Sequence, residues 1–173
     1  MRGEAKFRYG DELDAIRQTF IEAGEEAKFR AASDADLEYL GSLGIPESVI
    51  NFFAWAEPVD GIEIKGARLW PISELRVENE DAVPGYVIAP LHYPVIGSTL
   101  FGDVYCLDLP GVAADGEPAV MIASHDEIYE DSAPEEIPTK MSRIADSFSD
   151  FLRKFAAGEL PSDYYDTREE DGL

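Results

Sequence analysis

The sequence predicts an α+β domain: a central, mainly antiparallel sheet of four to six strands, with N-terminal helices and one C-terminal helix packed on it. Three observations carry this expectation. Apolar residues recur at helical spacing over residues 11–56, and again over 144–155. Between them lie short apolar segments separated by turn residues, the pattern of strands. Helices first, strands next and one helix last is the order of an α+β layout.

The first helix is expected over Asp11–Phe29, with Leu13, Ile16, Phe20 and Ala27 on one face and Asp11 as cap. Gly24 weakens its middle. In residues 33–44, Ser33 is placed to cap, Asp36 three positions on resembles a capping box, and Leu37, Leu40 and Leu43 form the buried stripe. Gly44 suits that helix's end, and Pro46 suits the first position of the next, Glu47–Ala56. Val49, Ile50, Phe52, Phe53 and Trp55 leave this third helix apolar on most sides, so it belongs in the core.

Strand signals follow. Gly61–Ile64 and Ala67–Trp70 read as a hairpin around Lys65-Gly66, and Pro71–Arg76 as a short helical turn. Gly85–Ala89 and Leu91–Ile96 read as strands, limited to edges or bends by Pro90 and Pro94. Val104–Leu109 is apolar on both faces, with Tyr105, Leu107 and Leu109 on one and Val104 and Cys106 on the other, so it is expected to be central. A turn over Gly111–Gly116 joins it to a second apolar strand, Ala119–Ala123, paired antiparallel. A polar loop spans His125–Lys140. The closing helix is expected from about Ser142, with Ile144, Phe148, Phe151, Leu152 and Phe155 in register and Gly158 ending it. Residues 159–173 hold six acids against one Arg and are expected to be frayed or loosely packed.

Charge is the unusual feature of the composition. The 173 residues hold 14 basic and 36 acidic side chains, a net of −22. Residues 1–30 are nearly neutral, with six basic and seven acidic side chains; the rest carries −21. Such a field opposes nucleic acid and anionic membranes and favours a basic protein partner. It also keeps a protein in solution, with no partner implied. Cys106 is the only cysteine, so no intrachain disulfide is possible, which fits a reducing compartment. The first residues lack the apolar stretch of a signal peptide, and no apolar run reaches membrane-spanning length. A cytoplasmic protein is expected.

Catalytic and metal signals are thin. No phosphate-binding glycine loop or paired-cysteine motif occurs, and no cofactor is expected. His92 and His125 are the only histidines. A Cys106–His125 dyad is disfavoured because Cys106 lies on an apolar strand, where cysteine is a small buried hydrophobe. His125-Asp126-Glu127 offers metal-ligand types, but reads first as a surface turn. With 36 acids, any carboxylate pair is unspecific.

Four segments carry a resemblance. LGSLGIPESVINFF (40–53), TLFGDVYCLDLPG (99–111), GEPAVMIASHDE (116–127) and IADSFSDFLRKF (144–155), in this order and spacing, resemble the SUKH superfamily, from about residue 33 to 157. That group includes the fungal Smi/Knr-type cell-wall regulators and many bacterial immunity proteins. The family usually has Asn-Gly after the second helix, whereas this chain has Trp55-Ala56-Glu57-Pro58-Val59-Asp60-Gly61, so the local loop departs. The resemblance implies a SUKH-like domain over 31–158, with 1–30 as a helical extension of it and 159–173 as an acidic tail. It implies a binding role, often neutralising a toxin by direct contact, and carries over no catalytic residue. Pro46, Gly102, Asp103, Tyr105, Asp108, Phe148 and Phe151 fall on family motifs, and physics suggests structural roles. Gly102 serves a turn, Asp103 bonds nearby amides, and Tyr105 packs with its hydroxyl at the rim.

The leading expectation is a non-catalytic immunity-type protein whose acids occupy the basic cleft of a nuclease-like toxin. Candidate contacts are the acids Glu78, Glu80 and Asp81, then Asp126, Glu127, Glu130, Asp131, Glu135 and Glu136, all read as lying on loops, with Tyr129 as an aromatic anchor. A regulatory or scaffold protein without a toxin partner is the second reading. A carboxylate-based hydrolase is the third, and it requires converging acids of perturbed pKa in a deep pocket.

Overall fold

The computed structural model describes residues 6–111 and 117–171. Its centre is a six-stranded antiparallel meander, β3-β4-β5-β6-β7-β8 in spatial as in chain order, formed by β3 (Ile62–Ile64), β4 (Ala67–Leu69), β5 (Val95–Thr99), β6 (Val104–Leu107), β7 (Val120–Ala123) and β8 (Met141–Ala145). A two-stranded ribbon pairs β1 (Phe29–Arg30) with β2 (Glu57–Pro58). Glu57-Pro58 falls within residues 55–61, where the chain departs from the resembled pattern, and here it is a strand.

The N-terminal helices are α1 (Gly10–Glu22), α2 (Asp34–Ser42) and α3 (Glu47–Ala56). Ser33 caps α2, its Oγ accepting from the Asp36 amide at 3.1 Å. Two expectations shift slightly here. Pro46 is the N-cap of α3 in extended conformation, one residue before the first helical position. Trp55 stays 47% exposed, while Val49, Ile50, Phe52 and Phe53 are buried. The first helix is shorter than expected: it stops at Glu22, and Gly24 takes φ +76°. Tyr9, not Asp11, is its N-cap and makes no side-chain cap bond, because its ring is buried against Phe148 at 5.4 Å.

The two faces of the sheet follow the period-two rule. Tyr105, Leu107, Val120 and Ile122 point into the larger core with the N-terminal helices and the helix α6 (Phe148–Ala157). Val104, Cys106 and Ala123 point into a smaller core closed by Ile88, Ile128, Ile137 and Met141. α6 buries Phe148, Phe151, Leu152, Phe155 and Ala156, and each fully buried phenylalanine contributes roughly 2–3 kcal/mol.

The β3–β4 hairpin turns at Lys65-Gly66, φ +48° and +86°, the mirror-type turn that matches strand twist. The helical turn after it is longer than expected and forms α4 (Ile72–Glu80). The strands expected over 85–96 are overturned. Gly85–Ile88 is the short helix α5, Ala89–Leu91 is a 3₁₀ turn, and only Val95 begins β5. Val87, Ile88 and Leu91 lie at helical spacing and cover the smaller core, and Pro90 sits in the first turn of the 3₁₀ segment, where it needs no donor. Residues 112–116 of the expected turn lie outside the described residues.

The closing helix starts later than expected. Met141–Ala145 is β8, paired with β7, and Ser147 caps α6 by accepting from the Asp150 amide at 3.0 Å. Ile144 belongs to a strand, although its spacing continues the helical pattern. The tail is not loosely packed over its described side chains. Leu160 and Tyr164 are buried, Pro161 accepts from the Tyr105 hydroxyl at 2.7 Å, and α7 (Tyr164–Asp171) lies against β8.

Candidate partner-binding surface

The end of the sheet where β5 turns into β6 is tightly built. Thr99 donates its amide to the Asp103 carbonyl at 2.8 Å, and its Oγ1 accepts from the amides of Phe101 and Asp103 at 3.2 Å each. Gly102 takes φ +99°, and a Cβ there would meet the His125 ring at 3.3 Å, so both backbone and space call for glycine. Asp103 is 1% exposed. One carboxylate oxygen accepts from the His125 amide at 2.9 Å and its Nδ1 at 2.5 Å; the other accepts from the Tyr164 amide at 2.7 Å. The carboxylate thereby joins β6, the turn after β7 and the start of α7. Burial pushes the Tyr105 hydroxyl pKa up, with Asp103 adding to it. Asp108 turns the chain, accepting from the Gly111 amide at 3.2 Å, and lies 3.9 Å from Arg143.

The acids expected to meet a partner fall in two groups. Glu78 and Glu80 are on α4 and Asp81 is its C-cap, so these three sit on a helix end, not on a loop. The second group lies on the segment between β7 and β8. Asp126, Glu130, Asp131, Glu135 and Glu136 are exposed, and Glu127 is half-buried 3.6 Å from Lys140. α5 links the groups. Its Gly85 packs on the Glu78 carbonyl, and Glu130 raises the pKa of its Tyr86 hydroxyl. Burial, then Glu74, raises the Glu78 carboxyl pKa.

Tyr129 is 56% exposed and donates its hydroxyl to the Asp126 carbonyl. Among the exposed apolar side chains that escaped the sequence reading are Leu100 at 46%, Phe101 at 61% and Tyr165 at 41%, with Ile21, Val77 and Val83 elsewhere in the chain. The signal for the first two was present, since Leu100-Phe101 stands immediately before the turn glycine of a hairpin.

Cys106 is fully buried and its thiol pKa is pushed up by burial, the opposite of an activated nucleophile. His125 turns instead to carboxylates, Asp103 at Nδ1 and Asp126 at 3.2 Å from Nε2. Among the described residues no group of three or more His, Cys, Asp or Glu side chains is placed to hold a metal ion, and no helix is long and apolar enough to cross a membrane.

Comparison with curated proteins finds no match. A family model does match, over residues 35–154, from the first turn of α2 into α6 and across the whole sheet. With well over half of its length within that match, the chain belongs to the SMI1/KNR4 family (SUKH-1).

Proposed function

We propose that this protein acts by binding a basic protein and not by catalysis, and that the partner is a toxin domain of the nuclease type, which the chain neutralises as an immunity protein. The observation that carries the reading is the exposed acidic segment between β7 and β8, set in a chain of net charge −22. A nuclease must attract phosphate, so its cleft is basic. An acidic surface imitates the substrate's charge, and long-range attraction speeds capture. Family membership supports a binding role for the fold.

The test is co-purification with candidate toxin domains encoded in the source genome, followed by a rescue assay in cells expressing the toxin. Neutralising Asp126, Glu127, Glu130, Asp131, Glu135 and Glu136 is expected to lower the association rate and flatten its salt dependence. Unchanged kinetics at low salt would overturn this assignment of the surface. Family proteins that regulate without a toxin offer the second reading, which rescue of no toxin together with binding to an endogenous protein would favour.

A further inference from the structure

We infer that the partner is held by an apolar rim around His125, formed by Phe101 of the β5–β6 turn, Tyr129 and Tyr165, and that it therefore carries an apolar notch ringed by Lys and Arg side chains. This deepens the proposed function and rests on it.

These three side chains come from three separate stretches of chain, and each stretch is tied to His125. Gly102, next to Phe101, lies against the His125 ring. Asp126 stands at His125 Nε2 and offers its carbonyl to the Tyr129 hydroxyl. Tyr165 follows Tyr164, whose amide donates at 2.7 Å to Asp103, the carboxylate that also holds His125. Phe101, the most exposed of them at 61%, is in neither buried core. An exposed ring on a hairpin tip costs solubility, and a cluster of such groups marks a contact surface.

The rim is also pre-organised. Thr99 clamps the turn that carries Leu100 and Phe101, and Asp103 anchors both the His125 turn and the N-terminus of α7 that carries Tyr165. Little ordering is then left to complete on binding, which favours affinity. The charge around the rim selects the partner's chemistry. Asp126, Glu130 and Asp131 are exposed beside Tyr129. A partner with acids at its edge would be repelled, and one with Lys and Arg there is drawn in.

Acids and rings then have separable effects. Acids act at a distance on association, and buried anchors act on dissociation. The experiment measures binding kinetics of the full chain against purified, catalytically disabled toxin domains from the source genome. Phe101→Ala and Tyr165→Ala are expected to speed dissociation by about ten-fold or more each while changing association less than about two-fold. Ile21→Ala, 61% exposed on α1, is the control and is expected to leave both rates unchanged. Thermal unfolding checks that each variant keeps its fold. Binding by the wild type with dissociation unchanged in both ring variants would overturn the rim and leave the proposed function standing. Absence of binding by the wild type to every domain would overturn both.

Discussion

Asp103 joins segments far apart in the chain, and its environment makes it costly to change. It is a buried carboxylate whose partners are two backbone amides and an imidazole nitrogen. Truncating it leaves buried donors unpaired, a loss of about 3–5 kcal/mol for a broken buried network. Asp103→Ala is therefore expected to lower the urea midpoint sharply, and hydrogen exchange should show residues 160–167 opening while α6 stays protected. Glu78 illustrates the opposite sign. Burial and Glu74 raise its carboxyl pKa, so the folded state holds that proton more tightly than the unfolded chain does. Its contribution favours folding below the unfolded pKa of about 4.3 and is lost as pH rises through the raised folded value. Glu78→Gln is expected to raise the thermal midpoint near neutral pH and to bring no gain below about pH 3, where the carboxyl is protonated in both states. Glu57 belongs beside these two. Buried at 1%, it accepts from Arg30 at 3.1 Å and from the Ile72 amide at 2.8 Å, capping α4 from across the small ribbon.

At the scale of elements, α4 and α5 are set by close approach. A Cβ on Gly85 would lie 1.8 Å from the Glu78 carbonyl oxygen, with backbone on both sides of the clash. Neither side can yield without moving a helix. Gly85→Ala is expected to cost ~3 kcal/mol or to prevent folding, read as a lost or shifted urea transition, because overpacking at this level exceeds what a repacked side chain absorbs. Asn79 fastens α4 to the sheet: it donates to the carbonyls of Leu75 and Val95 and accepts from the Val95 amide at 2.8 Å. At the edge of the sheet, β8 is protected from further pairing. Lys154 donates to the Ile144 carbonyl at 2.9 Å, Thr167 of α7 donates to Ser142 at 2.9 Å, and Arg143 points out as an exposed charge.

Across the whole molecule, the net charge of −22 dominates. Self-repulsion of that size works against the compact state, and salt screens it over a Debye length of about 10 Å at 0.1 M. The thermal midpoint is accordingly expected to rise with sodium chloride at neutral pH, and a flat or falling midpoint would show that local ion pairs outweigh the global field. Partner association is expected to move the other way and slow with added salt. The two trends together separate the charge's effect on stability from its effect on capture.

Much of the architecture was legible in the sequence because the governing interactions are local or strictly periodic. The extent of α3, the Ser33 cap, the Lys65-Gly66 turn and the two-faced strand β6 all follow from spacing and turn chemistry. The misread segments are those where local pattern is ambiguous. Val87, Ile88 and Leu91 suit a strand as well as a helix, and the choice was made by the smaller core they cover. Ile144 continues the helical spacing of α6, yet pairing with β7 claims it. The tail reads as solvated because it is acidic, yet buried Leu160 and Tyr164, the Tyr105 bond to Pro161 and the pairing of Asp103 with the Tyr164 amide hold it down. The sequence by itself determined the α+β class, the family and the acidic field. The tertiary structure alone decided which segments meet: it tied the stretches carrying Phe101, Tyr129 and Tyr165 to His125 through Gly102, Asp126 and Asp103, because contacts between residues distant in the chain depend on packing and leave no periodic trace.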